Sequence, residues 1–513
     1  MQGSIKATLV AGVLAAALLG VSGCNGGSSD NVTADEPSTT AYSVANPVIE
    51  GPVKGGLGTF VSSTLFPLAL VGYQQSEYFL SGNASSYLSD EALTSDGKWT
   101  ARPATATAAY KTRIVVYRPI KAAKFNGTVI MEWLNVSGGL DAAPGWINAH
   151  TELVRQGYAW VGVSAQKEGI DGGGSISVVN LPLKKFDSTR YGTLLHPGNS
   201  YSYDMFSQAA QAVRHPQGID PLDGLTIKAM IASGESQSAW RMTTYVNAIA
   251  PLTRLFDGFM LHSRLFGSTP LSELPQAAIP APDIVHVRTD IAPVMTLQTE
   301  SDLFLLKYYA SRQDDSSNFR LWEVAGTSHA DIYTLTGLFD LAGTDPQYAK
   351  VVENSKPLPG IIDCAKPVNS GPQHFVVSAA YAALNRWVTT GMAPTSAARL
   401  TVADGGTAFV VDAHGNTLGG IRTPFVDVPI ATLSAYGQPG SIETISNNSE
   451  SFCFLFGTTA LFYSAKLKSL YPTHDSYVNA VNASADSALA QGFLLASDAA
   501  LIKKAAQEST IGN

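Results

Sequence analysis

Short apolar runs alternate with stretches of helical periodicity along most of the chain. Seven runs rich in Val, Ile, Leu, Met or aromatic residues, bounded by Gly, Pro, Asn or Asp, predict buried strands at 111–118, 128–134, 159–164, 225–232, 258–262, 294–298 and 319–324. The intervening pattern predicts helices at 146–155, 203–213, 238–249, 304–310 and 378–390. Such alternation implies an α/β fold, with a mostly parallel central sheet covered by helices on both faces. Two stretches break the rhythm. Residues 167–202 contain Gly172-Gly173-Gly174 and interrupt the step from the third strand to the next helix, as a lid-like insertion does. Residues 400–445 read as a hairpin and an irregular arm added after the sheet. No internal repeat is visible.

Composition narrows the class. Of 513 residues, 45% are hydrophobic and only 14% charged, against a usual charged share of about 25%. Disorder, collagen and coiled coil are excluded. The net charge is −8 with basic residues scattered along the chain, so there is no electrostatic footprint for a nucleic acid partner.

The N-terminus reads as an export signal. One positive charge in the first six residues precedes a small-and-apolar run at 7–21, which is short of the roughly 20 residues a spanning helix needs. Val21-Ser22-Gly23-Cys24 then resembles the lipobox of bacterial lipoproteins, in which the cysteine is acylated. On this reading 1–23 is a signal peptide and 24–44, poor in apolar residues, a flexible tether. The chain is expected to be exported and tied to a membrane through lipid on Cys24. Asn25 is not the Asp of the common inner-membrane retention signal, which favours the outer membrane, facing the periplasm or the cell surface. Cys364 and Cys453 remain, an even pair in an oxidising compartment, expected to form a disulfide, with two buried thiols as the alternative. Closing that loop would restrict the unfolded chain by roughly 4 to 5 kcal/mol.

Candidate chemistry begins at Gly234-Glu235-Ser236-Gln237-Ser238, a Gly-x-Ser-x-Ser sequence between a strand-like and a helix-like run. That context is a nucleophile elbow, whose flanking positions must be small so that strand and helix approach. Similar spacing around Ser175, Ser200 and Ser328 lacks the strand-to-helix context. A serine hydroxyl needs a base to accept its proton and a third group to orient that base, in the chain order Ser, acid, His. Asp302 and Glu300 follow the strand at 294–298, and Asp302 is preferred because it lies clear of the apolar run. His329 follows the strand at 319–324 in a small-residue loop, at the sheet edge where ligands bind. His262 precedes both acids and reads as a pocket wall; His374 is a weaker alternative base. For the oxyanion hole, Gln237 supplies one backbone N–H, and the stretch Leu134-Asn135-Val136, assigned at Asn135, supplies the second. None of the nine histidines forms a His-x-x-x-His pair, so neither a metal nor another cofactor is expected.

Four segments also carry a resemblance: Phe125-Asn126-Gly127-Thr128 running into Glu132-Trp133-Leu134-Asn135, then Gly162-Val163-Ser164-Ala165-Gln166, the elbow itself, and Gly419-Gly420-Ile421-Arg422-Thr423-Pro424. Together they resemble the large bacterial exported proteins of the alpha/beta hydrolase domain family, from about Val48 to the C-terminus. The resemblance implies an α/β-hydrolase fold over 45–513, a serine nucleophile at Ser236 and a carboxylic-ester substrate, small-molecule or lipid-like. Two other readings stay open: an acyltransferase with the same three groups, and a binding lipoprotein that keeps the fold without turnover.

Overall fold

The computed structural model describes residues 42–173, 179–440, 450 and 452–513. The expected signal segment, Cys24, most of the tether, 174–178 of the insertion and 441–445 of the arm lie outside the described residues.

The strands are β1 (Val48–Glu50), β2 (Tyr73–Leu88), β3 (Arg102–Pro119), β4 (Thr128–Trp133), β5 (Ala159–Val163) and β6 (Ala229–Glu235). They continue with β7 (Gly258–His262), β8 (Val294–Thr299), β9 (Phe319–Val324), β10 (Ala431–Ser434) and β11 (Thr458–Leu461). Nine form one sheet in the order β1-β2-β3-β5-β4-β6-β7-β8-β9. From β5 across to β9 all neighbours are parallel, whereas β1, β2 and β3 form an antiparallel flank. Every residue of β4 to β8 is buried, as parallel strands covered on two faces require.

The main helices are α1 (Pro144–Arg155), α2 (Ser202–Arg214), α3 (Gln237–Thr244), α4 (Glu300–Phe304), α5 (Gln373–Thr390), α6 (His474–Gln491) and α7 (Ala496–Gln507). On one face, Trp146 and Leu153 of α1 and Val377 and Leu384 of α5 share a core with Ile130, Trp160, Met260 and Leu297. On the other, Phe206 of α2 and Met242 of α3 share one with Met131, Val161 and Phe259. The parallel strands therefore end together between two helical layers, and their C-terminal ends carry the loops in question.

Where expectation and structure differ, local chemistry explains it. The 16-residue β2 was not expected because Ser, Gly and Asn interrupt its apolar positions; it is held by pairing along β3, from Tyr73 opposite Pro119 to Leu88 opposite Arg102. Strand β6 starts later and runs further than 225–232, because Ser233, Gly234 and Glu235 still pair with Met260, Leu261 and His262 of β7. The helix expected at 304–310 begins instead at Glu300, where Thr299 and Asp302 form a capping box, and a left-handed Lys307 (φ 60°) precedes the next turn.

The insertion at 167–202 contains the short helical turns Lys167–Asp171, Leu183–Phe186, Ser188–Tyr191 and Asn199–Tyr201. The arm is a series of isolated bridges, Val402 with Phe409 and Val411 with Thr417 among them, before β10 pairs with β11. Cys364 and Cys453 are joined by a disulfide across a sequence separation of 89 residues.

Candidate active site

Ser236 stands between the last residue of β6 and the first of α3, with φ 56° and ψ −122°. Few non-glycine residues hold a positive φ, and one that does is imposed by its surroundings. Its N–H donates to the His262 carbonyl at 2.9 Å, and its own carbonyl accepts from Trp240 N–H at 3.0 Å. Gly234 has no alternative here, since an added Cβ would lie 2.7 Å from the Ser238 backbone. Ser238 departs from the usual second glycine, and its hydroxyl is put to use: it accepts from Glu235 N–H at 3.0 Å and donates to the Glu235 carbonyl at 2.8 Å.

His329 comes from the loop after β9. Its Nε2 lies 2.8 Å from Ser236 Oγ and its Nδ1 lies 2.7 Å from Asp302 Oδ1. The structure thus brings the three expected residues into one hydrogen-bonded chain. The other carboxylate oxygen of Asp302 accepts the Thr299 N–H at 2.6 Å, so the same residue caps α4 and orients the imidazole. Glu300 faces elsewhere: Oε1 accepts the Gly326 N–H at 2.6 Å, steadying the loop that carries His329. Burial pushes the Glu300 carboxyl up to about 7. Burial also works against a charged His329, but the hydrogen bond and charge of Asp302, with the charge of Glu235, outweigh it and leave the imidazole above its ordinary value.

The loop is braced from behind. Ala330 N–H donates to the Leu455 carbonyl at 3.3 Å, Ser328 Oγ to the Phe456 carbonyl at 3.0 Å, and Gln373 Nε2 to the His329 carbonyl at 3.2 Å. His262 is a wall, as its place on β7 suggested: Gln373 Nε2 lies 3.1 Å from its Nε2, and burial holds its pKa near 4. His374 points to another neighbourhood, stacked 3.6 Å from the Tyr333 ring. Of the other serines with elbow-like spacing, Ser200 donates its hydroxyl to the Glu273 carbonyl, Ser328 divides its single proton between the carbonyls of Ala330 at 2.7 Å and Phe456 at 3.0 Å, and Ser175 lies outside the described residues.

The Asn135 assignment is corrected. Its backbone N–H donates to the Ala142 carbonyl at 2.8 Å in an antiparallel bridge, so this amide is not free for an oxyanion. Leu134 N–H is likewise taken by the Val163 carbonyl at 3.2 Å. Asn135 contributes through its side chain, donating Nδ2 to the Glu235 carbonyl at 3.0 Å. Gln237 N–H opens α3, in the turn where helix amides have no intrahelical acceptor.

Two features were not anticipated. Glu235 buries a carboxyl beside Ser236, with Oε1 3.7 Å from His329 Nε2; the signal was available as the one charge in the run from 229 to 235. The loop after β4 is tied down by a buried ionic cluster. Arg113 donates to Glu77 at 2.8 Å and to Asp141 at 2.9 Å, and Arg190 of the insertion pairs with the same Glu77.

The family model described as "Alpha/beta hydrolase domain" matches residues 49–504. The chain belongs to that family. Strand order, the elbow at the end of β6 and the helices on both faces agree with an alpha/beta hydrolase domain. Among solved structures, a putative dienelactone hydrolase from Klebsiella pneumoniae is 13% identical, with a TM-score of 0.27 over 52% of this chain and 93% of its own. An α/β serine hydrolase without a lid from Xanthomonas campestris is 14% identical, with a TM-score of 0.28 over 52% and 91%. The esterase Est22 is 11% identical, with a TM-score of 0.28 over 52% and 76%. No curated protein matches the chain.

Proposed function

We propose that this alpha/beta hydrolase domain is a serine hydrolase that cleaves carboxylic esters through an acyl-enzyme. The observation that carries the reading is the continuous chain from Ser236 Oγ to His329 Nε2 at 2.8 Å and from Nδ1 to Asp302 at 2.7 Å, built around a strained serine at a strand-to-helix turn. His329 accepts the serine proton as Oγ attacks the ester carbonyl, and Asp302 stabilises the imidazolium that forms. The carbonyl oxygen gains charge, and Gln237 N–H, in the first turn of α3, is its first donor. Val136 N–H is the second donor: of the three amides in that stretch it is the one that no acceptor meets among the described residues. Collapse expels the alcohol oxygen, which takes the proton from His329. Water then repeats the sequence, giving its proton to His329, attacking the acyl carbonyl and releasing the acid and Ser236.

The test is labelling with a fluorophosphonate probe, which needs an activated serine. The natural chain is expected to label and the Ser236→Ala chain to stay unlabelled. Ester cleavage should fall to what binding and oxyanion donors alone supply, about 10³ to 10⁴ over water. Near-normal cleavage by Ser236→Ala refutes the assignment. The N-terminal motif supports a second part of the reading, that the domain is exported and lipid-anchored through Cys24. Mass spectrometry of the mature N-terminus checks it, and a lipid-free terminus refutes it.

A further inference from the structure

Two amides stabilise an oxyanion only when both stand at hydrogen-bond distance from one point. Here they belong to segments whose facing residues, Asn135 and Glu235, are 100 positions apart in sequence. The sheet alone does not set their spacing. Strands β4 and β6 pair in parallel from Thr128 opposite Ala229 to Glu132 opposite Ser233, and the ladder stops there. Beyond it the Asn135 side chain joins the two segments. Its Nδ2 donates to the Glu235 carbonyl at 3.0 Å and lies 3.4 Å from Glu235 Oε2, while its Oδ1 accepts the Ser137 N–H at 2.8 Å. Turned over, the amide would set oxygen against the Glu235 carbonyl and nitrogen against the Ser137 N–H, so its partners fix its orientation.

Rigid peptide planes carry this on to the donors. The Asn135 carbonyl accepts the Ala142 N–H at 2.9 Å. In a trans peptide N–H lies opposite C=O, so that bond turns the Val136 N–H away from Ala142. The next N–H, that of Ser137, is held on Asn135 Oδ1, and the peptides on both sides of Val136 are thereby tied. On the elbow, the Glu235 carbonyl accepts from Asn135 Nδ2 and from Ser238 Oγ at 2.8 Å, and the other end of the same plane, Ser236 N–H, donates to the His262 carbonyl. Two dihedrals of Ser236, φ 56° and ψ −122°, separate that plane from the Gln237 N–H. One buried side-chain amide connects the planes next to both donors.

We propose that Asn135 is the positioning residue of the oxyanion hole: its side chain sets the gap between the Val136 and Gln237 amides. The proposal rests on the reading of Ser236 as the nucleophile and of these amides as its oxyanion donors. Asn135 acts through the amides and touches no reacting atom; its partners are Glu235, Ser137 and Ala142, whereas His329 is held by Asp302.

Asn135→Ala removes the bridge, and Asn135→Asp keeps its size and the acceptor for Ser137 but sets an oxygen against the Glu235 carbonyl. With an aryl acetate, and with competent protein counted by fluorophosphonate labelling taken to completion, kcat is expected to fall about 10²-fold with KM largely kept. A trifluoromethyl ketone separates the hole from the rest of the pocket. Ser236 Oγ adds to its carbonyl carbon, the serine proton passes to His329, and the carbonyl oxygen becomes the anion that the amides face; the matching methyl ketone binds as a neutral carbonyl. Both variants are expected to lose affinity for the trifluoromethyl ketone by the factor lost in kcat/KM and to bind the methyl ketone as the natural chain does. Equal losses for the two ketones, or a fall in kcat with trifluoromethyl ketone affinity kept, overturn the proposal. If Asn135→Ala does not fold, Asn135→Asp decides with the same pair of ketones, and an unchanged kcat there refutes it. A natural chain that neither labels nor cleaves the ester overturns the hydrolase reading itself, and the proposal with it.

Discussion

Each oxygen of the Asp302 carboxylate has its own task, one on the His329 ring and one on the Thr299 amide. An aspartate cap fixes the rotamer that the imidazole needs, so the choice between Asp302 and Glu300 is made by backbone geometry as much as by reach. Asp302→Asn keeps the shape but offers an amide where the ring needs an anion, and kcat is expected to fall by up to about 10⁴ with KM largely kept. Glu300→Gln keeps an oxygen for Gly326 N–H and should retain most of the turnover. Both are measured on a simple aryl ester with folded protein; a collapse confined to Glu300→Gln would transfer the role to Glu300. That Ser236, Asp302 and His329 come together was readable in the sequence, because each follows an apolar run at a defined chain order. Which amide stays free in the stretch 134–136 was not, since it depends on the pairing of Asn135 with Ala142, a contact no local pattern announces.

At the scale of elements, the buried parallel strands were legible and the solvent-side ones were not. Strands β7 and β9 fall where the apolar runs end, at Gly258–His262 and Phe319–Val324. The pattern does not predict strands β1 and β2 or the helices α6 and α7. In the two helices the buried positions are often small, such as Ala485, Ala488, Ala499 and Ala505, so hydrophobic periodicity is faint although the packing is close; in β2 the buried Tyr78, Leu80 and Tyr87 are interrupted by Ser, Gly and Asn. The ionic cluster shows how elements are tied by charge as well as by apolar area. Arg113 sits on β3, Asp141 on the loop after β4 and Glu77 on β2, and Arg190 brings in the insertion. Arg113→Met would leave the buried Asp141 without its cation and Glu77 with Arg190 alone, at a cost of about 3–5 kcal/mol. Chemical denaturation measures this. A loss within about 0.5 kcal/mol, typical of surface changes, would show that the cluster does not hold these elements.

For the whole molecule, the disulfide joins an excursion after the sheet to the segment that braces the loop of His329. Cys453 precedes Leu455 and Phe456, whose carbonyls meet Ala330 N–H and Ser328 Oγ. Replacing both Cys364 and Cys453 by Ala is expected to cost about 2–5 kcal/mol of stability and to lower kcat more than it raises KM, because the loop of His329 loses its support while Ser236 keeps its own. Thermal unfolding and steady-state kinetics on the same preparation test the two parts, and an unchanged kcat would separate the disulfide from the site. The order of the chain gives this brace a further meaning. Ser328 and Phe456 are 128 residues apart, so a polypeptide emerging from its N-terminus presents the serine, the acid and the histidine well before the carbonyls that steady them. Assembly of the three-residue cluster is then a late event, completed when the last part of the chain has arrived and its cysteines have met an oxidant, and a chain cut short ahead of Phe452 would keep Gln373 and Glu300 on the His329 loop but lose the carbonyls that brace it from behind.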